Sequence, residues 1–250
     1  MSLRVCSYNI HKGFSQFNRR MMVHELRERL HSLDVDLVFL QEVQGKHARH
    51  SVRHPEWPLR PQHEFLAEGS WAQAAYGSNA VYDHGHHGNA ILSRHAILSC
   101  NNQNVSDHRF ERRGLLHCEI AVPGIATPVH CVCVHLGLTA GSRRRQMEAL
   151  SERMERFAPG DTPLIIAGDF NDWRNRADDL LGERLGVIEA FGQHRRGRPA
   201  RSFPSALPFF RLDRIYVRGF RVRRADVHFG APWAKISDHA LLTAELEPMA

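Results

Sequence analysis

The sequence predicts one strand-rich domain, residues 1–250, folded as a two-sheet sandwich or barrel. Three observations predict it. Nine apolar runs of strand length are spread over all 250 residues, only two long segments carry helical period, and neither a repeat nor a Gly/Ser linker divides the chain.

In order, the runs are Leu3–Asn9, Val35–Leu40, Ala90–Ser93, Leu115–Val122, Val129–His135, Leu164–Ala167, Arg214–Val217, Ala225–Phe229 and Leu241–Leu246. Each is short, rich in Val, Ile, Leu or Phe, and bounded by Gly, Pro, Asn or Asp, the punctuation of strands. Helical period places Met22, Leu26, Leu30 and Leu33 along one stripe of Asn18–Leu33, with Asn18 as the expected N-cap. Ser142–Phe157 repeats the pattern through Met147, Leu150, Met154 and Phe157, with Ser142 as the expected cap, and a shorter helix is expected after Asn175. Gln44–Gln62 and the basic stretch Gln193–Arg201 read as surface loops.

Composition narrows the class. The chain is 42% hydrophobic and 24% charged, with a mean hydropathy of −0.41, which excludes a disordered, coiled-coil or collagen-like chain. No apolar run approaches the roughly 18 residues of a membrane span, and no signal-peptide core follows Met1; cytoplasm is the expectation. The net charge is +6, with only Lys12, Lys46 and Lys235 as lysines against thirty arginines. Such a balance favours nucleic acid, an anionic membrane surface or phosphorylated small molecules as partners, and codon bias accounts for it equally well. No obligate protein partner is indicated. The five cysteines form no C-x-x-C pair and are expected as reduced thiols, core or half-buried. His84, His86 and His87 lack the cysteine or carboxylate partners of a zinc site.

The chemistry sits at strand ends. Asn9 closes the first strand, Glu42 follows the second, and His135 ends the strand from Val129. Asp169 and Asn171 follow the run Leu164–Ala167, while Asp213 precedes Arg214 and Asp238-His239 precede Leu241. If the last two strands run antiparallel to the first four, all six groups land on one rim. Each position alone has an ordinary explanation as a turn, a strand end or a surface carboxylate; six together on one edge are harder to explain that way. An all-oxygen set of Glu42, Asp169 and Asp238 with the amides of Asn9 and Asn171 suits Mg²⁺ or Mn²⁺. Crowded carboxylates need a cation or shifted protonation, and a histidine oriented by an aspartate is general-base architecture. These are the parts for hydrolysing a phosphate ester.

Ser7-Tyr8-Asn9-Ile10, Gln41-Glu42-Val43, Gly88-Asn89-Ala90-Ile91-Leu92-Ser93, Val134-His135-Leu136, Gly168-Asp169-Phe170-Asn171, Leu212-Asp213-Arg214-Ile215 and Ser237-Asp238-His239 resemble, in order, the motifs of the endonuclease/exonuclease/phosphatase superfamily. The resemblance implies an α/β fold: a four-layer sandwich of two packed mixed β-sheets flanked by helices. It implies Glu42 as the principal Mg²⁺ ligand, assisted by Asn9 and Asp238, with Asp169 positioning or deprotonating water or protonating the leaving group. Asn171 and His135 would donate to the scissile phosphate. His239 would contact that phosphate or act as the base, paired with Asp213. Arg113 of the Arg112-Arg113 pair matches a phosphate-contacting arginine region.

His87 stands where exonuclease-III-like members carry a phosphate-binding tyrosine, which lowers the expectation of abasic-site repair. The expected activity is therefore a Mg²⁺-dependent phosphoesterase acting on a phospholipid or a phosphorylated metabolite. A non-specific nuclease and a non-catalytic binding protein are the other readings. Arg195, Arg196, Arg198 and Arg201 could track a phosphate backbone or form a solvated loop. Phe209 and Phe210 are expected to pack in the core, contact with lipid or a base being the other reading.

Overall fold

The computed structural model describes residues 2–108, 111–174, 176–194 and 200–249. Among the described residues, twelve strands form two six-stranded mixed sheets. The first has the order β11-β12-β1-β2-β4-β3, from β1 (Leu3–Asn9), β2 (Leu37–His47), β3 (Gln73–Tyr82), β4 (Gly85–Ser93), β11 (Phe220–His228) and β12 (Leu241–Pro248). The second has the order β5-β6-β7-β8-β10-β9, from β5 (Ala96–Asn104), β6 (Gly114–Ala121), β7 (Val129–His135), β8 (Leu164–Asp169), β9 (Ile188–Glu189) and β10 (Asp213–Arg218).

Alternation explains the layering. In β1 and β2, Val5, Leu37 and Phe39 face the opposite sheet and join Leu116, Cys118, Cys131, Cys133, Ile165 and Ile215 in a central core. The alternate residues, Cys6, Tyr8, Val38 and Leu40, face outward onto helices α1 (Val23–Ser32), α3 (Gln62–Ala67) and α7 (Trp233–Ile236). On the other side, Val132, Val134, Leu164 and Ile166 pack on α4 (Ala140–Phe157) and α5 (Arg176–Leu185). Four layers result, as the motif resemblance implies. Buried polar groups also bridge the sheets. Asn89 Nδ2 donates to Gly114 O at 3.0 Å and Cys133 O at 3.1 Å, and Gln41 Nε2 donates to Cys133 Sγ at 3.3 Å.

Several local expectations are corrected. Helix α1 begins at Val23, and Asn18 instead lies in a short 3₁₀ turn with φ 53°. Helix α4 is capped by Thr139, whose hydroxyl accepts from Ser142 N at 3.2 Å, so Ser142 sits inside it. Gln44–Gln62 is no plain loop: it carries the end of β2, α2 (Ala48–Arg53) and the start of α3. Strands β3, β5 and β9, each at one edge of its sheet, are additional to the expected runs, and β3 and β5 carry no clear apolar alternation. Four cysteines are buried, but Cys100 on β5 is exposed. The helix after Asn175 is present as α5. Arg195, Arg196 and Arg198 lie outside the described residues. No described helix is long and apolar enough to cross a membrane.

Candidate active site

Strand direction assembles the rim. β2 runs parallel to β1 and β12 antiparallel to it; β7 runs parallel to β8 and β10 antiparallel to it. The carboxyl ends of β1, β2, β7 and β8 therefore meet the starts of β10 and β12. Asp213 faces Asp169 directly in register.

Two side chains are aimed by unusual backbone. Glu42 has φ 57° at a register shift between Leu40 and Val43, a bulge that turns its carboxylate out of the sheet. Asn171 has φ 50°, its N–H donates to Asp169 Oδ1 at 2.9 Å, and its Nδ2 donates to Leu136 O at 2.9 Å. Left-handed backbone at non-glycine residues concentrates at functional sites. Gly168, at φ 150°, lets β7 pass closely: a Cβ there would lie 1.9 Å from Val134 O.

A cavity of about 510 Å³ is lined by Asn9, Glu42, Arg113, His135, Asp169, Asn171 and His239. Asn9 Nδ2 donates to Asp169 Oδ2 at 3.1 Å, and His135 Nε2 and His239 Nε2 stand 3.5 and 3.8 Å from the same oxygen. His239 Nδ1 donates to Asp213 Oδ2 at 2.9 Å. Ser237 braces the arrangement, its hydroxyl donating to Asn9 O at 2.7 Å and accepting from His239 N at 3.3 Å.

The electrostatics divide the roles. Burial disfavours charge on both Asp169 and His239. Asp169 is pushed up to about 7, burial and the Asp213 charge outweighing the opposing His239 charge. His239 is raised to about 10 against the opposing effect of burial, because Asp213 and Asp169 flank it. Burial, with Arg113 and His239 close by, holds His135 well below its ordinary value. At neutral pH the centre thus presents an imidazolium at His239, a neutral His135 and an Asp169 able to exchange a proton.

Not every expected site residue lines this cavity. Asp238 does not line this cavity; its Oδ1 is 3.2 Å from His11 Nδ1. Although burial opposes its charge, that His11 hydrogen bond helps hold the Asp238 carboxyl below its ordinary value. His87 lines a neighbouring cavity. Arg113 reaches the wall, but its guanidinium donates to Leu136 O at 3.1 Å and to Glu111 Oε1 at 3.2 Å. Sequence reading missed His11, Lys12, Phe203, Trp173 and Leu138. His11 and Lys12 follow Asn9 directly, which was a usable signal. Phe203, whose ring centroid is 5.1 Å from that of His239, lies in a loop without periodicity. Phe209 and Phe210 are not core residues: they are 66% and 44% exposed.

The donor set fits a hard divalent cation. Glu42 Oε2 is buried without a hydrogen-bond partner, and Lys12 Nζ is 3.6 Å from it. Ligand atoms of Asp169, Asp213 and His239 also lie within 4.8 Å of one another, but there Asp213 is engaged by the His239 imidazole, which leaves Asp169 as the member of that cluster free to join Glu42.

The family model for the endonuclease/exonuclease/phosphatase family matches residues 6–239. The chain belongs to the endonuclease/exonuclease/phosphatase family. Members of this family are generally hydrolases of phosphate esters and typically divalent-metal dependent. Protein YbhP of Escherichia coli (strain K12) is 44% identical over 245 residues, covering 98% of this chain and 96% of YbhP. An endonuclease/exonuclease/phosphatase from Beutenbergia cavernae DSM 12333 has a TM-score of 0.77 at 18% identity, covering 99% of this chain and 72% of its own. A mannosyl-6-phosphatase of Bacteroides thetaiotaomicron VPI-5482 gives 0.73 at 18%, covering 98% and 99%. A humanized D. rerio TDP2 gives 0.69 at 17%, also covering 98% and 99%. At these identities the structural likeness within the family is one of fold.

Proposed function

We propose that the protein is a Mg²⁺-dependent phosphoesterase whose substrate carries an apolar substituent beside the scissile phosphate, a phospholipid being the favoured class. The observation that carries the reading is the convergence of Asp169, His135, His239, Asn9 and Glu42, with Arg113 and Asn171, on one cavity whose other five lining residues are apolar. Leu138, Trp173 and Phe210 line it, at 60%, 46% and 44% exposed, together with Phe203 and Leu212. Large apolar side chains left in water beside a polar centre mark a binding surface.

Glu42, with Asn9 and Asp169 beside it, would hold the cation, Mg²⁺ with Mn²⁺ as substitute. When bound, the ion polarises a phosphoryl oxygen. Asp169 is placed to take the proton of the attacking water, with Asn9 fixing its carboxylate. His239, kept cationic by Asp213, faces the charge that builds on the phosphoryl oxygens. His135 and Asn171 complete the polar wall. We take residues 1–250 to act as one domain, in the cytoplasm, with no obligate protein partner.

A nuclease is the second reading, because guanidinium groups cover rings near the lip. Arg143 lies 4.7 Å from the Trp173 ring and Arg201 5.7 Å from that of Phe209, a pairing on which bases stack. A panel of phosphatidylcholine vesicles, p-nitrophenyl phosphate, hexose phosphates and single- and double-stranded DNA, assayed with Mg²⁺ and with EDTA, decides between them. Mg²⁺-dependent release from the phospholipid or aryl ester above the hexose phosphates is expected. Preferential cleavage of DNA transfers the site to the nuclease reading. No hydrolysis of any ester with Mg²⁺ or Mn²⁺ ends both.

A further inference from the structure

Three cysteines stand side by side across the second sheet. Cys100 on β5 pairs directly with Cys118 on β6, and Cys118 with Cys131 on β7. Directly opposed residues of a sheet share a face, and this row faces the other sheet, where Cys118 and Cys131 belong to the central core. Cys118 and Cys131 are fully buried; Cys100, on the edge strand, is exposed. A reagent in water therefore meets one member of the row first.

The Cys100–Cys118 pairing is regular, with Ser99 opposite Glu119 and Asn101 opposite His117 on either side. Opposed residues of an antiparallel ladder have Cα atoms about 4.5–5.5 Å apart, inside the range of about 4.4–6.8 Å that a disulfide spans. Contacts from both faces hold β5 in that relation. Asn102 donates to Ser78 O at 3.1 Å and to Asn79 Oδ1 at 3.2 Å, tying β5 to β3 of the first sheet. From the outer face, Arg153 of α4 donates to Gln103 Oε1 at 3.1 Å and to Asn101 Oδ1 at 3.0 Å. The Cys118 thiol donates to the Cys100 sulfur, which brings the Cys100 thiol down to about 7 although burial opposes it. The same contact, with burial, pushes Cys118 up. One thiol is thus a ready nucleophile and its neighbour a protonated reserve.

We infer that Cys100 and Cys118 form a thiol–disulfide modification site whose co-reactant is a small disulfide such as glutathione disulfide. The Cys100 sulfur attacks one sulfur of that disulfide, its S–S bond breaks, and one glutathione leaves as a thiolate that takes up a proton. Cys118 then gives up its proton as its sulfur attacks the Cys100 sulfur, and the second glutathione leaves. Two protein thiols lose two electrons in total, and one small disulfide gains them. The new bond closes residues 101–117 into a ring. That ring contains Arg113, on the wall of the catalytic cavity, and Glu111, which accepts from Leu138 N at 3.0 Å. The modification thereby staples the base of the hairpin that delivers these two side chains.

The experiment equilibrates the protein at neutral pH with glutathione buffers of graded ratio and alkylates the remaining thiols with N-ethylmaleimide. Trypsin, cutting at Arg112 and Arg113, parts Cys100 from Cys118, and a glutamyl endopeptidase, cutting at Glu119, parts Cys118 from Cys131 and Cys133. Mass spectrometry is expected to find a peptide pair joined through Cys100 and Cys118. Its ratio to the reduced form should rise about tenfold for each tenfold fall in the squared glutathione concentration relative to the disulfide, and vanish in dithiothreitol. The joined form should melt several degrees above the reduced one. In the reduced protein Cys100 should react with iodoacetamide at least about tenfold faster than the other four cysteines. Cys100→Ser, at an exposed position, should fold, lose the joined peptide and keep the melting temperature of the reduced parent. No Cys100–Cys118 peptide at any buffer ratio, a link through Cys131 instead, a Cys100–Cys100 link between two copies, or a Cys100 that stops at the glutathione adduct each overturns the site. All four are read on the unsubstituted protein, so none depends on how a variant folds.

Discussion

Asp213 Oδ2 accepts a hydrogen bond from His239 Nδ1 at 2.9 Å, with both residues almost completely buried. The pair joins the start of β10 to the residues just before β12, and so one sheet to the other. Asp213→Asn keeps a hydrogen-bonding group but removes the charge that favours the imidazolium. Turnover should fall by about 10²-fold or more while divalent affinity changes little. His239→Ala should cost at least as much, and the double variant little more than His239→Ala, since groups acting as a unit are not additive. Steady-state kinetics of the four proteins check it; fully multiplicative losses would separate the two residues.

Asp169 gives a stability prediction for the metal-free protein. Its folded pKa, pushed up to about 7, lies above the ordinary carboxyl value, so the folded state binds the proton more tightly than the unfolded chain. That contribution is complete below about pH 4 and is lost as pH rises through about 7. Asp169→Asn has no such ionisation. Thermal melts in EDTA should therefore show the variant gaining on the parent by several degrees between pH 5 and pH 8. A constant difference across that range would refute the raised value.

Glu42→Gln preserves shape and removes one negative charge from a carboxylate with a buried, unpartnered oxygen. Mg²⁺ or Mn²⁺ affinity should drop at least about tenfold and turnover by about 10²–10³-fold. Calorimetry and metal titrations of activity give the two numbers independently. Wild-type values for both would remove Glu42 from the metal site.

The apolar lip predicts a KM effect. Trp173→Ala and Phe210→Ala should each raise KM for an ester with an apolar substituent by roughly tenfold, the value of one well-buried ring contact, with kcat nearly unchanged. Hexose phosphates should show no such change. Equal losses on both substrate types would make these rings structural.

Much of the site was legible because its polar groups lie at the ends of apolar runs, and apolar runs are what sequence shows best. Asn9, His135 and Asp169 close such runs and Asp213 opens one, and the antiparallel return of β10 and β12 followed from needing one rim. Strands β3 and β5 were not legible. Each lies at one edge of its sheet, and runs such as Ser99–Asn104 offer no buried face to alternate. The aromatic lip failed for the opposite reason: Phe209 and Phe210 look like core residues by type, and only tertiary position leaves them in water. His11 pairing with Asp238 joins positions 227 residues apart and has no local signature.

The Asn89 and Gln41 hydrogen bonds between the sheets bear on how the protein could be damaged. Asn9 and Glu42 belong to one sheet, while His135, Asp169 and Asp213 belong to the other, so each half carries an incomplete set of reacting groups. Because the first sheet is built from both ends of the chain, no single cut frees one layer from the other, and the site depends on the two layers keeping their relative position. Turnover thereby becomes a gauge of sheet alignment. A substitution such as Asn89→Leu, which lets one layer slip across the other, should silence the enzyme while circular dichroism still shows every strand in place.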